Sequence, residues 1–402
     1  MGFPEYIERP LYLDRVMPYV HKDIIKIIVG QRRVGKSYML FQLMDRISVL
    51  NPDGQQIYIN KELHEFAGIR NAEDLLEYIE SRRGPSRHLY LFIDELQDID
   101  RFEVALRSLQ AQGDVDIFGT GSNAKLLSGE LATYLSGRYI EIKLYSLTYQ
   151  EFLLFHGMEK SRDSLQKYLK FGGLPYLKHL PMEDAVVFDY LKNVTDAILL
   201  KDIVSRYDIR NVSFLLRLAQ FLADNVGSLV TARKISSYLK SQKLKISHNL
   251  VIDYLLYLSN ALLLLPAKRF DIVGKKVFEI GEKYYFEDLG IRHALVGFRA
   301  TDINKILENV IFTHLKVSGY EVTVGQIGKK EVDFVCEKGG ERLYIQAAYM
   351  IPDDKVRDRE FGNLLAIPDN FPKKVISMDP LTGASYKGIE HVLLEDFLMN
   401  CA

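Results

Sequence analysis

The 402-residue sequence contains no tryptophan and only two cysteines, Cys336 and Cys401. Without tryptophan, intrinsic fluorescence reports poorly on binding. The two cysteines stand in no metal-ligand spacing, which excludes a disulfide scaffold and fits a reducing compartment. Charge of one sign is also missing. Lys and Arg number 52 against 53 Asp and Glu, a net charge of −1, so nothing global signals nucleic acid and any such signal must be local. Long apolar runs are absent as well. The longest aliphatic stretch, ALLLLPA at residues 261–267, is far too short to span a bilayer. The first ten residues, MGFPEYIERP, lack a charged-then-apolar leader pattern, and Tyr6 spoils the myristoylation consensus. The expectation is a cytoplasmic protein with no membrane partner.

What is present is ordinary globular composition, 48% hydrophobic and 26% charged, which argues against disorder. The length exceeds one ordinary core, so two or three domains are expected. Residues 24–29, IIKIIV, form a short apolar strand leading into GQRRVGKS at 30–37, and then YMLFQLMDRISVL at 38–50, apolar nearly all round as a buried helix should be. Strand, glycine loop and helix thus follow the order that the G-x-x-x-x-G-K-[ST] phosphate loop requires. Composition alone would produce the pattern in roughly one or two chains per hundred of this length. Gly30 and Gly35 let the backbone curl so that its N–H groups face inward, and the helix N-terminus adds partial positive charge. Lys36 is placed to neutralise β- and γ-phosphate oxygens, and Ser37 to offer its hydroxyl to Mg²⁺. The expected nucleotide lining is Gly30, Gln31, Arg32, Arg33, Val34, Gly35, Lys36, Ser37 and Tyr38, although loop arginines are more often solvated.

Residues 89–97, LYLFIDELQ, raise the question of why a buried strand ends in two adjacent acids, which repel each other and are costly to bury. Solvation at the strand end is one answer. Beside a phosphate loop there is another: Asp94 holds Mg²⁺, and Glu95 lies next to the γ-phosphate to orient or deprotonate the attacking water. Mg²⁺ and Lys36 then supply the counter-charge. A hydrolase needs that second acid; a small-molecule kinase does not.

Strands are expected near 56–60, 115–120 and 139–144, and helices near 72–82, 101–112 and 124–135, an alternation that implies a parallel sheet with sites at its carboxyl ends. GTGSN at 119–123 puts Ser122 and Asn123 at that edge, either as γ-phosphate sensors or as an N-cap for the next helix. Arg138, in YLSGRYIEI, stands just before the fifth strand. It either reaches a neighbouring subunit's γ-phosphate as a finger or compensates a helix C-terminus.

GQRRVGKS, LYLFIDELQ and GTGSNAKLLSGELATYLSGRY together resemble the AAA-type ATPase domain of a widespread group of bacterial and archaeal proteins. In that group a C-terminal region with a restriction-endonuclease-like core follows, so the resemblance covers nearly the whole chain. It implies an α/β P-loop NTPase core over 1–145, the finger role for Arg138, the sensor role for Ser122 and Asn123, a homo-oligomer, and a helical lid over 146–225, where the residues themselves show only helices and the turn FGGLPYL at 171–177.

Residues 226–300 have the outline of a winged helix-turn-helix: two helices, a short turn and a strand-like segment within 230–271. Between Asp224 and Asp253 there is no acidic residue, but there are Arg233, Lys234, Lys240, Lys243 and Lys245. Such charge suits phosphate-backbone contacts, though charge runs are usually solvated faces and winged helices also contact proteins. In 301–402 the expected order is a helix at 303–318, strands at 321–327, 331–338 and 341–351, a helix near 353–365 and a strand at 373–378. This order resembles the restriction-endonuclease-like fold, whose site takes an acid on the second strand, Glu-x-Lys on the third, and a helical Glu. Asp333 and Glu308 fill the first and last positions, but the third strand offers Gln346-Ala347-Ala348. An amide and a methyl replace the acid and the lysine, and Mg²⁺ wants hard anionic oxygen. A lysine from the next helix, such as Lys355, would restore one function but not the missing acid. The expectation is a retained shape without nuclease chemistry.

The reading is therefore an oligomeric Mg-ATP hydrolase that couples turnover to conformational change, with nucleic acid as candidate cargo. Its rivals are a slow nucleotide-operated switch acting through a protein partner, an ATP-gated nuclease and, disfavoured by Glu95, a small-molecule kinase.

Overall fold

The computed structural model describes residues 4–85, 88–122, 135, 137–241, 246–380 and 385–400. Asn123, Lys243, Lys245, Cys401 and the helix expected near 124–135 fall outside them, apart from Leu135. The chain divides into two compact units, one of residues 1–145 with 260–262, the other of 146–259 with 263–402.

The first unit is a five-stranded parallel sheet. After a short helix α1 (Pro10–Val16) come β1 (Ile25–Val29), α2 (Lys36–Leu50), β2 (Gln55–Asn60), α3 (Ala72–Arg82), β3 (Leu89–Asp94), α4 (Phe102–Gln112), β4 (Val115–Gly121) and β5 (Tyr139–Lys143). The strand order is β2-β3-β4-β1-β5, with every pairing parallel. β1 and β3 are buried along their full length, which is why they read as continuous apolar runs rather than alternating ones. Leu75 and Ile79 of α3 and Leu106 and Leu109 of α4 close over this sheet in one core with Ile57, Leu91, Ile93 and Ile117. The exception inside β1 is Lys26, fully buried and ion-paired with Asp116 of β4.

The second unit begins with helices: α5 (Tyr149–His156), α6 (Arg162–Phe171), α7 (Asp184–Ala197) running on into a π-helical segment at Ile198–Ser205, and α8 (Val212–Asp224). Capping boxes at Thr148/Glu151 and Ser161/Ser164 start the first two, each satisfying backbone N–H groups that a helix start leaves orphaned. FGGLPYL ends α6 and enters a 3-10 turn at Pro175–His179. Next come α9 (Ala232–Ser241), α10 (His248–Asn260) and an antiparallel hairpin of β6 (Leu264–Asp271) and β7 (Lys276–Phe286).

Then follow α11 (Leu289–Val296), α12 (Ile303–Val317), β8 (Glu321–Ile327), β9 (Lys330–Lys338), β10 (Glu341–Ala348), α13 (Asp354–Leu365) and β11 (Lys373–Ser377). This is the expected order of helix, three strands, helix and strand. β8, β9 and β10 are antiparallel neighbours, and β11 lies parallel to β10. The third strand is three residues shorter than the sequence suggests. Past Ala348 the chain leaves the ladder, and Ile351 donates its N–H to Asp379 instead. Two further strands, β12 (Ser385–Tyr386) and β13 (Ile389–Leu393), and a last helix, α14 (Leu394–Leu398), were not anticipated. Nor was the pairing of β6 with β8, in parallel, which runs across position 300 and makes one eight-stranded sheet of the hairpin and the C-terminal strands.

The Lys26–Asp116 pair gives a stability test. Removing one member of a buried ion pair strands the other charge, at a cost of about 3–5 kcal/mol, whereas replacing both by apolar residues of similar volume is often near neutral. Urea denaturation should show Asp116→Ala destabilised on that scale and the double variant Lys26→Met/Asp116→Leu much less affected.

Candidate functional site

At the carboxyl edge of the parallel sheet, β1 runs into the glycine loop. Gly30 is required there: a Cβ on it would stand 2.4 Å from the Leu144 carbonyl oxygen. Gly35 takes φ +97° and caps α2, which starts at Lys36, so the first N–H groups of that helix have no intrahelical partner and face the loop. The Lys36 ammonium is buried, 3.4 Å from the Gln31 carbonyl and 3.5 Å from Glu95 Oε1.

The acid pair closes the site from β3. Asp94 is buried to 1% exposure. Ser37 hydrogen-bonds to it, Thr120 donates to its Oδ1, and Tyr58 donates to Oδ2 at 3.4 Å. Burial raises its pKa; the bonds from Ser37 and Thr120 oppose that rise, and the neighbouring Glu95 charge adds to it. Glu95 differs. Burial pushes it up as well, but the Lys36 charge, the bond from Gln97 and the Arg32 charge outweigh that and hold it below the usual carboxylate range. Its backbone N–H donates to Thr120 Oγ1 at 3.0 Å. Glu95 is therefore ionised at neutral pH, and Asp94 is a buried acid short of positive charge, the setting a divalent cation would complete.

The remaining expected residues divide into those near this edge and those not. Gln31 is fully buried, and neither atom of its amide has a hydrogen-bond partner among the described residues; the same holds for Ser122 Oγ. Both lie just past the ends of adjacent strands, where Gly30 donates its N–H to the Gly121 carbonyl. Val34 is buried, and its carbonyl accepts from the Arg9 guanidinium at 3.2 Å. Arg32 is half-buried with Glu62 at 3.8 Å, whereas Arg33, at φ +71°, and Tyr38 are exposed. Arg138 is not part of this cluster. It precedes Tyr139, which pairs with Ile25 at the start of β1, and so lies about 13 Å, a full strand length, from the loop that follows Val29. It is exposed there, and a finger role on its own chain's nucleotide is excluded by geometry. Thr120, Tyr58, Gln97 and Arg9 are contacts that sequence reasoning missed. Only Thr120, a hydroxyl inside a buried apolar run, gave a signal that could have been followed.

Elsewhere, Arg233, Lys234 and Lys240 are exposed on α9, while the outward positions of α10 are His248, Asn249, Ile252, Asp253 and Leu256, with no lysine or arginine among them. In the C-terminal sheet, Asp333 is buried and accepts the Ala347 N–H at 2.8 Å. Burial and Glu308 push its pKa well up, against Lys283. Gln346 donates to Glu360 at 3.3 Å. Lys355 is exposed on α13, and the ammonium among these acids belongs instead to Lys283 of β7, 2.8 Å from both Glu308 and Glu331. Among the described residues, no group of three or more His, Cys, Asp or Glu is arranged to hold a metal ion.

Residues 22–153 match a family model described as an AAA domain, and residues 162–302 one described as a domain of unknown function (DUF8612). The chain is 36% identical over 401 residues to an uncharacterized protein of Haemophilus influenzae, covering 98% of each chain. It is 30% identical over 381 residues to an uncharacterized protein of Methanocaldococcus jannaschii, covering 89% of this chain and 83% of the other. Among solved structures it is similar to the Aeropyrum pernix ORC1 protein, solved in complex with DNA, at 12% identity over 73% of this chain and 93% of that one. The TM-score of 0.33 is too low to establish a shared fold.

Thr120 ties both acids together, so Thr120→Val leaves a buried Asp94 oxygen and the Glu95 N–H unsatisfied. A loss on the order of 1–3 kcal/mol follows, measurable by urea denaturation, with Thr120→Ser close to wild type.

Proposed function

The chain belongs to the same protein family as its Haemophilus influenzae relative, with an AAA domain over residues 22–153, and from that premise we propose that it is an ATPase hydrolysing Mg-ATP. The observation that carries the reading is the convergence of Lys36, Ser37, Asp94 and Glu95 at one sheet edge.

The chain's own groups divide the work. The glycine-loop N–H groups and the N-terminus of α2 cradle the phosphates. Lys36 exchanges Glu95 for a β/γ-phosphate oxygen, a change made easy by the loose 3.5 Å contact. Ser37 and Asp94 would hold Mg²⁺, which when bound supplies counter-charge to the phosphates and the acid pair. Glu95, released and already ionised, takes a proton from water as its oxygen attacks the γ-phosphorus and the bond to the β-phosphate oxygen breaks, leaving ADP and phosphate. Gln31 and Ser122, buried with unsatisfied polar atoms beside the loop, are the γ-phosphate contacts of this reading, with Asn123 next in sequence.

Arg138 acts in trans. Its place at the far sheet edge suits a finger reaching a neighbour's γ-phosphate in a homo-oligomer. The helices of 146–225 are the lid, and turnover drives the α9–α10 pair and the C-terminal sheet. That sheet is a restriction-endonuclease-like core without nuclease chemistry, because Gln346 and Ala348 stand where an acid and a lysine would be needed. Among the described residues no helix is long and apolar enough to cross a membrane, and a cytoplasmic location remains part of the proposal. Nucleic acid would contact Arg233, Lys234 and Lys240, together with Lys243 and Lys245, through its backbone. The second reading is a nucleotide-operated switch with a protein partner, favoured by Ile252 and Leu256, 46% and 54% exposed on α10.

Two measurements test the proposal. Glu95→Gln should lower kcat by about 100-fold or more while retaining ATP binding, and Lys36→Ala should lose binding; wild-type protein that neither binds nor cleaves ATP overturns the reading. Specific activity should rise with protein concentration, and Arg138→Ala should abolish that rise without weakening nucleotide binding.

A further inference from the structure

Gln97, the last residue of LYLFIDELQ, has no role in the scheme so far. Its chain position is unusual. Glu95 adopts φ +62° and ψ +60°, left-handed backbone that a non-glycine residue enters only at a steric cost, and the turn at Leu96–Asp98 folds Gln97 back over it. The Gln97 Nε2 donates to Glu95 Oε2, while Glu95 Oε1 faces Lys36. The other end of the same amide, Gln97 Oε1, is buried and has no hydrogen-bond partner among the described residues. A buried acceptor left unsatisfied is costly, so backbone strain and an orphaned oxygen coincide beside one acid, a pattern that clusters at functional sites.

Resting on the ATPase reading, we propose that Gln97 is a catalytic residue: its Oε1 accepts one O–H of the attacking water while Glu95 takes the proton from the other. A water activated by one base still has a second O–H to direct, and its lone pair points at phosphorus only when both are held. The amide places that second acceptor one carbon away from the nitrogen that grips Glu95, so base and acceptor are aligned as a unit. Atoms balance as before. The water oxygen bonds to phosphorus, Glu95 gains the proton, ADP leaves, and Gln97 neither gains nor loses one.

The test compares two substitutions of similar length. Gln97→Met keeps the reach and packing of the side chain but no polar group; its kcat should fall by about tenfold or more with KM and fluorescent-nucleotide affinity within about twofold of wild type. Gln97→Glu keeps an acceptor oxygen and loses the donor; its kcat should lie at least about threefold above that of the Met variant. An amide that only clamps Glu95 predicts the opposite order, because Gln97→Glu would add repulsion to the lost bond. A Met variant within about twofold of wild type in kcat, a loss confined to KM, or a Glu variant no better than Met overturns the inference. Those results leave the ATPase reading standing, whereas wild-type protein without ATP turnover removes both.

Discussion

Two carboxylates side by side at the end of a fully buried strand have to be neutralised, and the arrangement of the first unit answers to that need. Lys36 is set against Glu95 from the start of α2, Ser37 and Thr120 hydrogen-bond to Asp94, and the Thr120 hydroxyl also takes the Glu95 N–H. Four segments of chain, the glycine loop, β3, β4 and α2, are thereby held at one edge. The division of charge is unequal. Glu95 is kept ionised by a nearby ammonium, and Asp94, more deeply buried, is left wanting positive charge. An unbalanced acid of that kind is where a hard cation with a triphosphate is best accommodated.

The C-terminal sheet meets a comparable problem differently. Lys283 makes two contacts of 2.8 Å, to Glu308 and Glu331, with Tyr285 donating to Glu308 at 2.6 Å. Three carboxylates outweigh burial and hold the Lys283 pKa above its usual value. Where the Lys36 contact is long and exchangeable, this one is short, buried and doubly satisfied. Its ammonium is a fixed structural cation, and the acids around it are committed to it.

What the sequence made legible was local. The glycine loop, the acid pair and the strands bearing them are short continuous patterns, and the observed β1, β3 and β4 carry them where a parallel sheet requires. The helix–strand–strand–strand–helix–strand order of the C-terminal region was legible for the same reason. Illegible were relations that depend on distant pairing: Arg9 reaching the Val34 carbonyl, Lys26 meeting Asp116, Lys283 entering an acid cluster from a hairpin fifty residues upstream of Asp333. None leaves a periodic trace. Gln97 sits inside the acid-pair motif, yet nothing in the letters says that Glu95 turns left-handed and bends the chain back.

The parallel seam between β6 and β8 joins residues 269–271 to residues 324–326. A fragment cut at position 300 would therefore peel away the outermost two strands and bare the flank of β8 at residues 324–326, leaving backbone donors and acceptors there unsatisfied. Raw margins of that sort recruit strands from other molecules, so the C-terminal portion expressed by itself would be drawn toward self-association, and keeping the hairpin attached is what spares it that fate.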